Sequence, residues 1–233
     1  AGSFTITGLQ GNLSNTASGA VSVTLADNTD GLYTVTSSNA ITVNNGTAQI
    51  GDTITLAGAG AKTVNALLAN LTLHATNTGT TNVTTGDASL TINANAAAGA
   101  LTVDGAALDQ DKTLTLAGGA NATNATVNNL VANLVANTLA SALTVDLADA
   151  GDNAISITTG TFTTSINDSA ATDTITVIAA ALADNALLST AGAGSFTITG
   201  LQGNLSNTAS GAVSVTLADN TDGLYTVTSS NAI

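Results

Sequence analysis

Apolar and hydroxyl side chains alternate along much of this chain. Phe4-Thr5-Ile6-Thr7 and Val21-Ser22-Val23-Thr24 show the pattern most plainly. A period of two sends the aliphatics to one face of a strand and the hydroxyls to the other. Runs of this kind cover residues 3–7, 20–25, 32–36, 40–44, 52–56, 88–93, 100–104, 112–116, 142–147, 154–159, 162–167 and 173–177. Most begin roughly 8–12 residues after the one before, and they are separated by Gly-, Asn-, Asp- and Ser-rich bends. Two strands and two bends make a coil of about 20 residues, with coils stacking about 4.8 Å apart. The pattern predicts an all-β, elongated parallel β-solenoid, or β-helix. One segment departs from alternation. Val127, Leu130, Val131, Leu134, Val135 and Leu139 follow helical spacing, as Val64, Leu67, Leu68 and Leu71 do more briefly. A short helical insertion and a loop or solenoid turn are the alternatives there.

The chain repeats itself. Residues 1–41 and 193–233 are identical, so residues 1–192 form one full tandem repeat and residues 193–233 begin the next. The second copy breaks off at Ile233, where Ile41 runs on into Thr-Val-Asn, so a longer tandem array is expected. Inside the block, Leu-x-x-Asn-Leu occurs at Leu9–Leu13, Leu67–Leu71, Leu130–Leu134 and Leu201–Leu205, in steps of 58, 63 and 71 residues. Strands ending in Asp (Asp27, Asp87, Asp149, Asp219) and strands opened by Asp (Asp52, Asp111, Asp173) keep the same order. The block therefore reads as three diverged units of about 64 residues.

Composition supports the all-β reading. The chain has 43 Thr and 23 Gly, and no Pro, Cys, Met, Trp, Glu or Arg. Thr, Val and Ile favour pleated backbone, whereas the usual surface residues of helices are missing. Five aromatics are few for a globular sandwich and suit a thin core of stacked aliphatics. An apolar content of 44% argues against a disordered tail. The net charge of −13 excludes an electrostatic grip on nucleic acid. No apolar run reaches the roughly 18–20 residues that span a bilayer.

Catalytic chemistry is poorly supplied. His74 is the sole histidine, and there is no thiol, no Arg and no Gly-rich phosphate loop; the expectation is a protein that is not an enzyme. The acidic bends are the candidate metal sites: Asp27 and Asp30, Asp104, Asp109 and Asp111, Asp146, Asp149 and Asp152, and Asp219 and Asp222. Clustered carboxylates beside backbone carbonyls suit calcium, which takes six to eight oxygens. Asp at a bend also caps its own backbone with no ion involved, so both readings stand. Thr-x-Thr pairs such as Thr5/Thr7, Thr34/Thr36 and Thr113/Thr115 raise an ice-binding face, which needs such pairs in one register on nearly every coil.

The segments ITGL, SALTVDLADAGDNAISITTG and DTITV resemble the repeats of giant tandem-repeat bacterial surface and secreted proteins, including RTX-like adhesins. The Gly-rich, Asp-containing nonapeptides of RTX proteins proper are absent, since GAGAK and GGANA lack the Asp. The resemblance implies a cell-surface or extracellular location and a structural or adhesive role. The expectation is a segment of a giant extracellular fibre or adhesin stalk, joined end to end with neighbouring repeats of the same chain. The alternatives are a self-assembling surface-layer or sheath protein, with lateral self-association or contact with another cell surface, and a calcium-stabilised binding module.

Overall fold

The computed structural model describes residues 2–94, 99–118, 124–149, 153–219 and 224–233. The described residues form strands and bends, without helix. Twelve strands form a first sheet: β1 (Phe4–Leu9), β3 (Val21–Leu25), β5 (Ile41–Asn44), β7 (Lys62–Leu67), β9 (Thr81–Thr85), β11 (Leu101–Asp104), β13 (Ala125–Leu130), β15 (Leu143–Leu147), β17 (Thr164–Asp168), β19 (Leu187–Gly192), β21 (Asn204–Asn207) and β23 (Val227–Ser229). Eleven form a second: β2 (Leu13–Asn15), β4 (Leu32–Ser37), β6 (Thr53–Ala57), β8 (Asn70–Leu73), β10 (Leu90–Asn93), β12 (Thr113–Gly118), β14 (Asn133–Leu139), β16 (Ala154–Thr158), β18 (Thr174–Ile178), β20 (Ser195–Leu201) and β22 (Val213–Leu217). The chain crosses from one sheet to the other after every strand, and each strand except the two at either end of the stack pairs in parallel with the strand two before and two after it. This is a parallel β-solenoid. Turns leading from the first sheet to the second form one edge, here the first edge; turns leading back form the second edge.

Alternation becomes stacking. Val23, Val43, Val64, Val83, Val103, Val127 and Val145 pair in register down the inner side of the first sheet. Facing them, Leu90, Leu114, Leu134, Ile157, Val177 and Ile198 form an inner column of the second. All of these are buried. On the outer side of the first sheet, the column from Thr5 through Ser22, Thr42 and Thr63 to Thr228 carries a hydroxyl at every strand except Asn82. The next outward positions are mixed: Thr24 pairs with Asn44 and Asn44 with Asn65, and beyond the bulge after Val64, Thr84 pairs with Asp104. Thr-x-Thr is therefore not the repeated unit of that face, and Thr34/Thr36 and Thr113/Thr115 belong to the other sheet.

One residue measures what stacking contributes. Phe4, in the first coil, is 54% exposed, whereas its copy Phe196, between Ile175 and Val213, is 1% exposed. Fully burying such a side chain is worth about 1.5–3 kcal/mol. Cohesion thus comes from neighbouring coils, as in other repeat architectures.

The segments with helical spacing are strands that meet at a tight corner. At each Leu-x-x-Asn-Leu the strand slips register just before the first Leu. The residue before that Leu has positive φ: Gly8 (71°), Ala66 (53°), Asn129 (53°) and Gly200 (64°). The bulge turns an inward residue inward again after three positions instead of two. Leu67, Leu130 and Leu201 are fully buried as a result, and the chain turns within two residues.

Candidate functional sites at the coil corners

The corner asparagine has a fixed task. Asn12, Asn70, Asn133 and Asn204 each accept a backbone N–H from the following coil through Oδ1: those of Thr34 (2.9 Å), Thr91 (2.9 Å), Ser156 (2.9 Å) and Thr226 (2.8 Å). Each Asn stands at or just before the start of its strand, where the ladder leaves a backbone donor of the next coil over; that donor is satisfied and adjacent coils are held in register. Asn133 also donates through Nδ2 to the Gln110 carbonyl in the preceding coil (3.5 Å).

The aspartates share an edge. Among the described residues, Asp27, Asp30, Asp52, Asp87, Asp104, Asp109, Asp111, Asp146, Asp149, Asp168 and Asp173 all lie on, or at the strand ends of, the first edge. Asp184 and Asp219 lie on the second edge. Asp152 and Asp222 fall outside the described residues. Many carboxylates bind backbone donors at these bends. Asp30 accepts from Leu32 N (3.3 Å), Asp104 from Ala106 N (3.2 Å), Asp168 from Ala170 N (3.2 Å), and Asp87 from Asp109 N (3.1 Å). The first three are the Asx turns expected of Asp at a bend, and the fourth ties one coil to the next. Asp146 accepts from the Asn167 amide in the next coil (2.7 Å), and Asp104 from that of Asn129 (3.2 Å). Asp27, Asp149 and Asp219 are exposed. Among the described residues, no three acidic or histidine side chains gather closely enough to hold a metal ion.

Asp109 and Asp111 both precede Lys112 in its turn. Its ammonium bonds both oxygens of Asp111 (2.9 and 3.0 Å), and this bond, with the charges of Asp111, Asp87 and Asp109, raises its pKa. A shallow notch of about 320 Å³ beside Asp27 is lined by Gln10, Asn28 and Thr29. Its walls are tied together by their own groups: Gln10 Nε2 donates to Asp27 O, and Asn28 Nδ2 to Gln10 O and Leu32 O. Beneath it the Tyr33 hydroxyl donates to Ala26 O (2.7 Å). Burial, then the nearby Asp52 and Asp27 charges, raise the Tyr33 pKa. His74 sits exposed in the turn after β8, its Nδ1 within 3.0 Å of Thr76 Oγ1.

Three interior polar groups were not among the sequence candidates. Lys62 occupies an inward position between Ile41 and Thr81 and is fully buried. Its ammonium donates to the carbonyls of Ser37 (3.2 Å), Gly58 (3.0 Å) and Gly60 (2.5 Å), pinning two second-edge turns together. Burial lowers its pKa to about 8. Asp173, opening β18, receives the Asn153 backbone N–H (2.8 Å) and side-chain amide (3.1 Å). Asp168 is fully buried with Oδ2 unpartnered, in space that exists because Gly194 has no Cβ. Burial is the main reason its pKa is raised, with the charges of Asp173, Asp149 and Asp146 adding to it and the Ala170 N–H opposing it. Strand-facing parity could have flagged Lys62 and Asp168, since both fall on inward positions of alternating runs.

Comparison with known protein families, with curated proteins and with solved structures finds no match to this chain.

Proposed function

We propose that this chain is a structural segment of a giant extracellular bacterial fibre or adhesin stalk, a stiff repetitive rod whose work is mechanical. The observation that supports this most directly is the continuity of the two ladders. Every strand between the end coils has a parallel neighbour on each side. Tension along the axis is then opposed by many backbone hydrogen bonds and by a core shared between coils. Only two cationic side chains are present, and one of them is buried, which leaves little for trypsin-like proteases outside a cell.

The in-register hydroxyl column on the outer side of the first sheet favours a second reading, lateral association into a surface layer or sheath. Hydroxyls both donate and accept, so such a face can pair with another of equal spacing. Electron micrographs of a chain carrying several 192-residue blocks distinguish the two. Isolated thin threads fit the stalk, ordered sheets or bundles fit the layer, and compact particles contradict both.

A further inference from the structure

The repeated stretch changes sheets between its two copies. Phe4–Leu9 forms β1 in the first sheet, paired with β3. The identical Phe196–Leu201 belongs to β20 in the second sheet, paired with β18 and β22. Likewise β2 corresponds to β21, β3 to β22 and β4 to β23, each pair nineteen strands apart and in opposite sheets. The two copies keep the same local structure. Asn15 donates to Ser37 Oγ at 3.0 Å, and Asn207 to Ser229 Oγ at 2.8 Å. Asn39 donates to Ala17 O at 2.7 Å, and Asn231 to Ala209 O at 2.6 Å. The same contacts are thus made half a coil out of phase.

We propose that the block is phased to nine and a half coils so that successive copies present the same surface on opposite flanks of the rod. Each further copy is then related to the one before by a half-turn and a rise of about 46 Å, taking about 4.8 Å per coil. The phase is set in the third unit. The Leu-x-x-Asn-Leu corners at β1–β2, β7–β8 and β13–β14 are six strands apart, and the next, at β20–β21, comes after seven. Strand identity does not require this, since an even number would stack equally well.

The acidic edge shows what the phasing does. Asp27 follows a strand of the first sheet, whereas its copy Asp219 follows a strand of the second. Carboxylates on successive coils are closer than the screening length of about 8–10 Å at ordinary salt. Confined to one flank over many copies, they would repel along that flank and bow the rod. Alternating flanks cancel the bending over every two copies. The same alternation makes the rod two-sided, so whatever one flank of a copy contacts, the opposite flank of the next copy contacts too. This holds wherever the rod is located and whichever way it assembles.

The chain has no cysteine, so thiols can be placed singly. Ser22 on β3 and Ser214 on β22 are equivalent outward residues. A chain with S22C and S214C is labelled with maleimide-linked gold clusters and imaged by electron microscopy. A second chain carries S22C and S189C, both in the outward column of the first sheet. Ser189 and Ser214 are only one and a half coils apart, so any twist of the stack moves both labels alike. The expected result is that the distal label at Ser214 lies across the rod from the position seen for Ser189, about 46 Å along the axis from Ser22. Distal labels on the same flank in both chains would overturn the proposal.

Discussion

Replacing Asn133 by Ala tests whether the corner asparagines hold one coil to the next. In the native chain its Oδ1 accepts the Ser156 N–H at 2.9 Å in a partly buried setting, and its Nδ2 reaches Gln110 O at 3.5 Å. The second contact is long and contributes little. Removing the first leaves a backbone donor without its partner, which costs about 1–2 kcal/mol. For a chain of this size that lowers the thermal midpoint by about 2–8 °C. It also speeds hydrogen exchange at the Ser156 amide by roughly 5- to 30-fold. Exchange is the sharper assay because a stack of coils opens locally, and a global melt averages over coils the substitution does not touch. Asn133→Asp separates the causes. A carboxylate keeps the acceptor and loses only the weak donor, so Ser156 protection stays near the native level. Equal loss of protection in the Ala and Asp variants, or none in either, would refute the assignment of the acceptor as the working group.

Lys62 sets a pH dependence of opposite sign to a surface lysine. Its pKa is lowered from 10.5 to about 8, so between those values the unfolded chain holds more protons and stability rises with pH. Midpoints measured from pH 8 to 10 climb in the native chain, and Lys62→Met removes that climb. Asp168, whose pKa is raised by burial, behaves in the other direction: the folded state binds the extra proton, and stability falls as pH rises above its ordinary value of 3.8. Asp168→Asn, which keeps an acceptor for Ala170 N–H, raises the midpoint at neutral pH and loses that advantage below pH 3.8, as paired melts at the two pH values will show. Melting in EDTA and in millimolar calcium addresses the acidic bends. Backbone bonds already made by Asp30, Asp104 and Asp168 keep those bends folded in EDTA, and a large upward shift in calcium would instead assign an ion to them.

The solenoid was legible in the sequence because one strand, repeated, is most of it. Val21-Ser22-Val23-Thr24 states its own inward and outward faces, and its aliphatics do stack on their counterparts in the next coil. The Leu-x-x-Asn-Leu segments were opaque for a specific reason. A bulge and a two-residue corner place Val127, Leu130, Leu134 and Leu139 inward at spacings of three to five, which imitates a helix. Strands such as Lys62–Leu67 and Asn133–Leu139 were therefore missed, and with them the parity of the count. Whether Asp27 and Asp219 share an edge depends on whether the strands between them are odd or even in number, so one missed strand hides the answer. The acidic edge was hidden in the same way. Its Asp residues stood out bend by bend in the sequence, but only the alternation of sheets shows that those bends line one side.

The central claim is that coil-on-coil ladders make this chain a mechanical element, and stretching single molecules by their ends tests it most directly. Each coil of about 20 residues that peels away adds about 65 Å of chain, from roughly 3.4 Å per extended residue less the rise it occupied. The account predicts abrupt lengthening in multiples of that increment, at forces above those that stretch an unstructured chain. Smooth, featureless extension from the lowest forces would contradict it.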